Sequence, residues 1–131
     1  MKKIIVTTIL STLLTFASPG VSQVMIDFGS QPTSEQLLQV IESATKDKNY
    51  ATARRVADNA IKQFPDLAAA YYYRAIAELN IGNPEAARLD FEQAKKLYLS
   101  QLKDAKISAQ GRSEARMKLE TVEQKLKLFK S

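Results

Sequence analysis

The sequence predicts an all-α protein, and an internal repeat and the residue composition both indicate it. Shifted by 34 positions, residues 34–67 align with residues 68–101 and keep five identities: Asn49/Asn83, Ala53/Ala87, Arg54/Arg88, Ala60/Ala94 and Lys62/Lys96. A fixed period of this length is typical of one helix-turn-helix unit used twice. The 131 residues are 45% apolar and 25% charged, with only four Gly and four Pro. This composition fits a single globular domain and favours helices.

The first 22 residues are typical of a secretory signal peptide. Lys2 and Lys3 precede an apolar run over residues 4–17, and Gly20 and Ser22 are the small residues that a signal peptidase reads. The run has 14 residues, short of the ~20 that span a bilayer. We therefore expect an exported bacterial protein, periplasmic or secreted, cleaved near Ser22. An uncleaved membrane anchor is the alternative.

The first repeat, 34–67, follows a lead-in segment over 23–33. Thr33 and Gln36 fit a capping box, which predicts a first helix over 34–46. Asn49 is a good N-cap, so we expect a second helix over 50–63, stopped by Pro65.

The second repeat, 68–101, contains the third helix and most of the fourth. We expect the third helix over 67–81, capped by Asp66 and ended by Gly82 in a left-handed conformation. The sequence Asn83-Pro84-Glu85 predicts the start of the fourth helix, with Asn83 as its N-cap. That helix is expected to extend to about residue 105.

A fifth helix is expected over 112–129, after a break at Ser108 to Gly111. Its apolar residues recur at alternating spacings of four and three: Ala115, Leu119, Val122, Leu126 and Phe129. Repeat arrays need end caps, so this stripe predicts a helix that caps the second repeat and completes a domain over 34–131. Pairing of the stripe with a second copy of the chain is the alternative. Glu123 and Lys127 are expected to form an i,i+4 ion pair.

Residues 68–101 resemble a tetratricopeptide repeat. The resemblance rests on an aromatic and small-residue start, a Gly-Asn turn and a small–aromatic–small pattern: Tyr71, Tyr72, Tyr73 and Ala75, then Gly82 and Asn83, then Ala87, Phe91 and Ala94. Glu78 and Leu99 depart from the family pattern, and residues 34–67 match it less closely. The resemblance implies antiparallel helix pairs in a right-handed α-solenoid with a peptide-binding groove, and it implies no catalysis.

In this family the first helix of each unit lines the concave groove. The resemblance therefore implies a partner site formed by Leu38, Glu42, Thr45, Tyr72, Ile76, Leu79 and Asn80. We expect Tyr72 to be the main contact, because aromatic side chains bury a large area and keep a hydroxyl for hydrogen bonding. Core packing is the alternative for this residue. The expected function is a non-enzymatic scaffold or adaptor in the assembly of an envelope complex. A structural subunit that self-associates through its repeat ends is the alternative.

Cysteine and histidine are both absent from the chain. No disulfide and no thiolate or imidazole metal site can form. The commonest general base near neutral pH is also missing. Carboxylates, Ser and Lys remain, so an enzyme stays the second alternative. We expect no catalytic residue, no cofactor and no metal ion.

The charge is unevenly distributed. Residues 27–94 carry seven basic and ten acidic side chains, whereas residues 95–130 carry ten basic and four acidic ones. The candidate basic surface consists of Lys95, Lys96, Lys103, Lys106, Arg112, Arg116, Lys118, Lys127 and Lys130. Such a surface attracts an acidic partner or an anionic membrane, with a solvated helix face as the alternative. Export argues against nucleic acid as a partner.

Overall fold

The computed structural model describes residues 30–130, so the predicted signal peptide and most of the lead-in lie outside the described residues. Within residues 30–130 the chain forms five helices and no strand, which confirms the all-α prediction. The helices are α1 (Ser34–Lys46), α2 (Tyr50–Gln63), α3 (Ala68–Ile81), α4 (Pro84–Lys103) and α5 (Ala109–Lys127).

The capping residues give α1 and α2 the bounds that the sequence predicts. The Thr33 hydroxyl accepts the Gln36 backbone N–H at 3.2 Å, and Gln36 Oε1 accepts the Thr33 backbone N–H at 3.0 Å. This reciprocal pair is a complete capping box. At the start of α2, Asn49 Oδ1 accepts the Thr52 backbone N–H at 3.3 Å.

Gly82 ends α3 in the left-handed conformation, with φ of 101°, as predicted. The predicted cap of α3 is wrong, and that of α4 is confirmed in its position but not in its side-chain contact. The N-cap position of α3 is Leu67 rather than Asp66, and no side chain caps it. Asn83 holds the N-cap position of α4, but its amide donates to Glu78 Oε2 at 2.7 Å instead of accepting from α4.

Helix α5 begins at Ala109, earlier than the predicted residue 112. The Ser108 hydroxyl accepts the Gly111 backbone N–H at 3.0 Å, so Gly111 lies in the first turn of the helix. A side-chain cap before Gly111 therefore overrides the low helix propensity of glycine.

The predicted ion pair between Glu123 and Lys127 is wrong, because Glu123 pairs with Lys95 of α4 at 3.1 Å.

Helices α1 and α2 form one helical hairpin, and α3 and α4 form a second. The two hairpins keep a common 34-residue register. Helices α1 and α3 begin at Ser34 and Ala68, and helices α2 and α4 begin at Tyr50 and Pro84, so both pairs start 34 residues apart. Each helix packs against the next, and α1 also packs against α3. Equivalent small residues are fully buried in both hairpins: Ala53, Ala60, Ala87 and Ala94.

The second hairpin and α5 share one core around Phe91. The Phe91 ring is fully buried, edge-on to Tyr72 with 6.1 Å between ring centroids, and 6.4 Å from Phe129. Ala115 and Val122 of α5 are buried in the same cluster. The apolar stripe of α5 therefore packs against α4 of its own chain.

An ion network joins α2, α3 and α4. The Arg74 guanidinium donates to both carboxylate oxygens of Asp90, at 2.7 and 2.8 Å, and to Asp58 Oδ1 at 2.9 Å. Hydrogen bonds to Asp90 and Asp58 raise the pKa of Arg74, and burial opposes them in part. Because Asp90 is only 7% exposed, Arg74 is the partner that compensates a buried charge.

Glu78 is 4% exposed and belongs to a second ion pair. Its carboxylate accepts from Arg54 Nε at 2.8 Å and from Asn83 Nδ2 at 2.7 Å. Glu78 therefore links Arg54 of α2 to the α3–α4 turn through one ion pair and one hydrogen bond.

Candidate functional site

A concave pocket of about 660 Å³ lies within the helical domain. Helix α1 contributes to one side of it and the first half of α5 to another, and the start of α3 and the end of α4 complete it. The residues that line it are Leu38, Glu42, Leu67, Ala69, Tyr98, Gln101, Asp104, Lys106, Ile107, Gly111, Glu114, Ala115, Met117 and Lys118. Half of these fourteen residues carry polar or charged side chains, and the volume lies within the range of ligand-binding pockets, roughly 300–1,000 Å³.

A chain of polar contacts connects α1, α3 and α5 beside this pocket. The Tyr73 hydroxyl donates to Glu42 Oε1 at 3.0 Å, and Lys118 Nζ donates to the Tyr73 hydroxyl at 3.2 Å. Lys118 Nζ also lies 5.0 Å and 5.1 Å from the ring centroids of Tyr72 and Tyr73. These cation–π and hydrogen-bonding contacts join α1, α3 and α5 beside the pocket.

Burial raises the pKa of three tyrosine hydroxyls in this region. Desolvation raises the pKa of Tyr72, Tyr73 and Tyr98 above the usual 10.0. The hydrogen bond to Glu42 raises the pKa of Tyr73 further, because a nearby carboxylate disfavours the phenolate. All three side chains are therefore hydrogen-bond donors near neutral pH.

Tyr98 lines the pocket and carries a buried hydroxyl that makes no hydrogen bond within the described residues. The residue is 4% exposed, and its hydroxyl is buried with no hydrogen-bond partner among the described residues. Buried polar groups in folded proteins are nearly always paired, so leaving this hydroxyl without a partner lowers the stability of the folded chain.

Two of the predicted groove residues, Leu38 and Glu42, line the pocket. The structure places the others elsewhere. The Thr45 hydroxyl donates to the Ile41 carbonyl oxygen at 2.7 Å, and Asn80 Nδ2 donates to the Ile76 carbonyl oxygen at 2.8 Å. Two further residues are half-buried against the core around Phe91: Ile76 and Leu79.

Tyr72, expected to be the main contact, is a core residue in the structure. It is 9% exposed, packs edge-on against Phe91 and lies beneath the ammonium group of Lys118. The three consecutive tyrosines of α3 point in different directions, and the one at position 72 faces α4 and α5. The alternative that the sequence left open, core packing, is the arrangement observed for Tyr72.

Sequence reasoning missed the contribution of α4 and α5 to the pocket. Lys118 was expected on the basic surface, and Tyr98, Gln101 and Met117 were not expected to line a binding site. A signal was present at Met117, which lies off the apolar stripe of α5 and is 60% exposed. A large apolar side chain on the polar face of a helix is compatible with a contact surface.

The candidate basic surface is divided between structural and exposed residues. Lys95 pairs with Glu123, and Lys118 covers the tyrosine rings. Arg112 donates to the carbonyl oxygens of Leu102 and Asp104 at the end of α4, at 2.9 and 3.3 Å. Six residues of the surface are exposed: Lys96, Lys103, Lys106, Arg116, Lys127 and Lys130.

Among residues 30–130 no group of three or more carboxylates is arranged to hold a metal ion. In the same part of the chain, no helix combines the length and the apolar character needed to cross a membrane. Comparisons of the chain with protein families, with curated proteins and with solved structures find no match.

Proposed function

We propose that this chain is a helical-repeat scaffold of the tetratricopeptide type, which binds a segment of a partner protein in the pocket bordered by α1 and α5. The observation that carries the proposal is the common 34-residue register of the two hairpins. Their helices start at equivalent positions and bury equivalent alanines, as repeated units of a solenoid do. Stacked units of this kind present an extended concave surface to a partner.

Two features of the pocket support binding of a protein segment: the contacts between the helices beside it and the exposed side chain of Met117. The contacts of Tyr73 with Glu42 and Lys118 link α1, α3 and α5 to one another within the chain. A preformed site loses less conformational entropy on binding than a mobile one. Met117 is 60% exposed on one wall and offers an adaptable apolar contact.

Site-specific photocrosslinking tests this proposal in the cells that make the protein. A photoreactive benzophenone side chain replaces Met117 in the pocket wall or, as the matched control, Leu89 on α4. Both positions have similar exposure, 60% and 57%, but Leu89 does not line the pocket. We expect a discrete crosslinked partner from position 117 and none from position 89.

The opposite pattern, with a partner captured at position 89 and none at position 117, would reject the pocket as the binding site. Capture of a second copy of this chain at either position would instead favour the self-associating structural subunit.

We propose further that the protein is exported and loses residues 1–22, on the basis of the basic, apolar and small-residue order of its first 22 residues. Intact-mass measurement of the protein recovered outside the cytoplasm checks this. The expected mass is that of a chain beginning at Gln23, and a mass that includes residues 1–22 would contradict cleavage.

A further inference from the structure

A second cavity, of about 570 Å³, lies between α4 and the end of α5. Its α4 side consists of Arg88, Glu92 and Lys95, and five residues between positions 123 and 130 form the other side. None of these residues lines the pocket bordered by α1 and α5. This α4–α5 cavity is therefore a separate feature, which the proposed function does not use.

The 34-residue register shows what the position of Arg88 faces in the first hairpin. Arg88 of α4 is equivalent to Arg54 of α2. Arg54 Nε lies 2.8 Å from Oε1 of Glu78 on α3, and the Glu78 side chain is only 6% exposed. One repeat earlier, the position of Arg88 thus receives a buried carboxylate from the next helix.

Arg88 receives no carboxylate from another helix within residues 30–130. It pairs with Glu85 at 3.1 Å and Glu92 at 2.7 Å, both on α4. These two side chains are 80% and 46% exposed, and exposed ion pairs one turn apart on a helix stabilise it little. An incoming carboxylate replaces them at low cost, because the planar guanidinium matches its two oxygens.

The lining of the α4–α5 cavity carries four basic and two acidic side chains. Lys95 is paired with Glu123 at 3.1 Å. Lys127 and Lys130 are exposed, and neither forms an ion pair with a carboxylate in the part of the chain that the structure describes. The unbalanced positive charge attracts an anionic group.

Apolar side chains form the rest of the wall. Leu126 and Phe129 are only half-buried where they pack against the core around Phe91, so part of their surface stays exposed. A concave wall of this kind fits a projecting side chain better than a flat anionic membrane. Other basic residues, such as Lys103 and Lys106, lie near the start of α5, and the 19 residues of that helix span about 28 Å.

We propose that the α4–α5 cavity is a second protein-binding site, which takes an acidic segment of a partner protein. A carboxylate of the segment pairs with Arg88, and an apolar side chain next to it packs on Leu126 and Phe129. Lys127 and Lys130 add attraction by charge. The site goes beyond the proposed function, because it is independent of the pocket bordered by α1 and α5.

Short peptides blocked at both ends, random in uncharged residues around a fixed central pair, provide the probe. The pair is Glu-Leu, Gln-Leu or Glu-Ser, and each pool is titrated against the full chain. Glu and Gln are close in size, so their comparison isolates charge, whereas Leu against Ser isolates the apolar contact. We expect the Glu-Leu pool to bind about threefold to tenfold more tightly than either other pool, with the charge preference shrinking as salt is raised.

Arg88→Gln is the decisive variant, and Arg116→Gln is its matched control. Both remove one positive charge, but Arg116 is exposed and lines neither the pocket nor the α4–α5 cavity. We expect Arg88→Gln to abolish the preference for Glu-Leu over Gln-Leu and Arg116→Gln to keep it. Glu92→Gln removes a carboxylate that competes for Arg88, so it should increase the preference.

The proposal is overturned if the Glu-Leu pool binds no better than the other pools, or if Arg88→Gln keeps the charge preference. It is also overturned if Arg116→Gln loses the preference equally, because net charge alone then attracts acidic peptides.

Two further measurements cover other occupants of the cavity. Binding to phosphatidylserine vesicles that Arg88→Gln weakens, without a peptide preference, would assign the cavity to a membrane and overturn the proposal. A dimer of the original chain that Arg88→Gln dissociates would assign it to a second copy, with the same consequence. Segment binding by the pocket bordered by α1 and α5 would stand in each case, because no substituted residue lines that pocket.

Discussion

Replacing Phe91 with alanine should destabilise the folded chain by about 3–5 kcal/mol, the range for truncating a large aromatic side chain in a packed core. Phe91 is fully buried and is among the largest side chains in that state within the described residues. Its ring contacts Tyr72 of α3 and Phe129 beyond α5, so its loss leaves a cavity where three parts of the chain meet.

Urea unfolding followed by far-UV circular dichroism measures this effect. The matched control is Leu89→Ala on the same helix, since Leu89 is 57% exposed and should shift the midpoint little. Equal losses for the two variants would contradict the assignment of Phe91 as the centre of the core.

Replacing Arg74 with alanine should cost about 3–5 kcal/mol, the range for removing one partner of a buried ion pair. The cost arises mainly from Asp90, which is 7% exposed and would keep an uncompensated charge. Asp58 would lose its 2.9 Å hydrogen bond in addition. The side chain of Arg74 is itself only 24% exposed, so solvent offers little replacement for these contacts.

Two comparisons make this prediction specific to the buried pair. Arg88→Ala removes ion pairs on the surface of α4, with Glu85 and Glu92, and should leave the urea midpoint near that of the original chain. The double variant Arg74→Met/Asp90→Leu removes both charges and should recover much of the loss. A double variant as unstable as Arg74→Ala would show that packing, rather than the unpaired carboxylate, sets the cost.

The helix bounds were predictable where local side-chain contacts set them. Thr33, Gln36 and Asn49 make the capping contacts that their sequence positions suggest, and Gly82 adopts the left-handed conformation that ends α3. The caps at Asp66 and Asn83 were not predictable in the same way. Asn83 bonds instead to Glu78, a buried carboxylate whose placement depends on tertiary packing.

The candidate site was less predictable than the fold, because it depends on how distant helices meet. Periodicity locates the apolar face of α3, but it does not show that α5 covers Tyr72. It also does not show that Tyr98, 56 positions after Glu42 in the sequence, shares a pocket with it. Ion pairs between helices, such as Arg74 with Asp58 and Asp90, likewise leave no local sequence signal.

The most direct test of the central claim, partner binding in the pocket, is protection of an introduced cysteine. The chain has no cysteine of its own, so Met117→Cys and Leu89→Cys each carry a single thiol. The alkylation rate of each thiol is measured with and without the partner segment identified by crosslinking. Slower alkylation at position 117, with no change at position 89, is the predicted result. Protection at position 89 alone, with position 117 equally reactive in both states, would contradict the account.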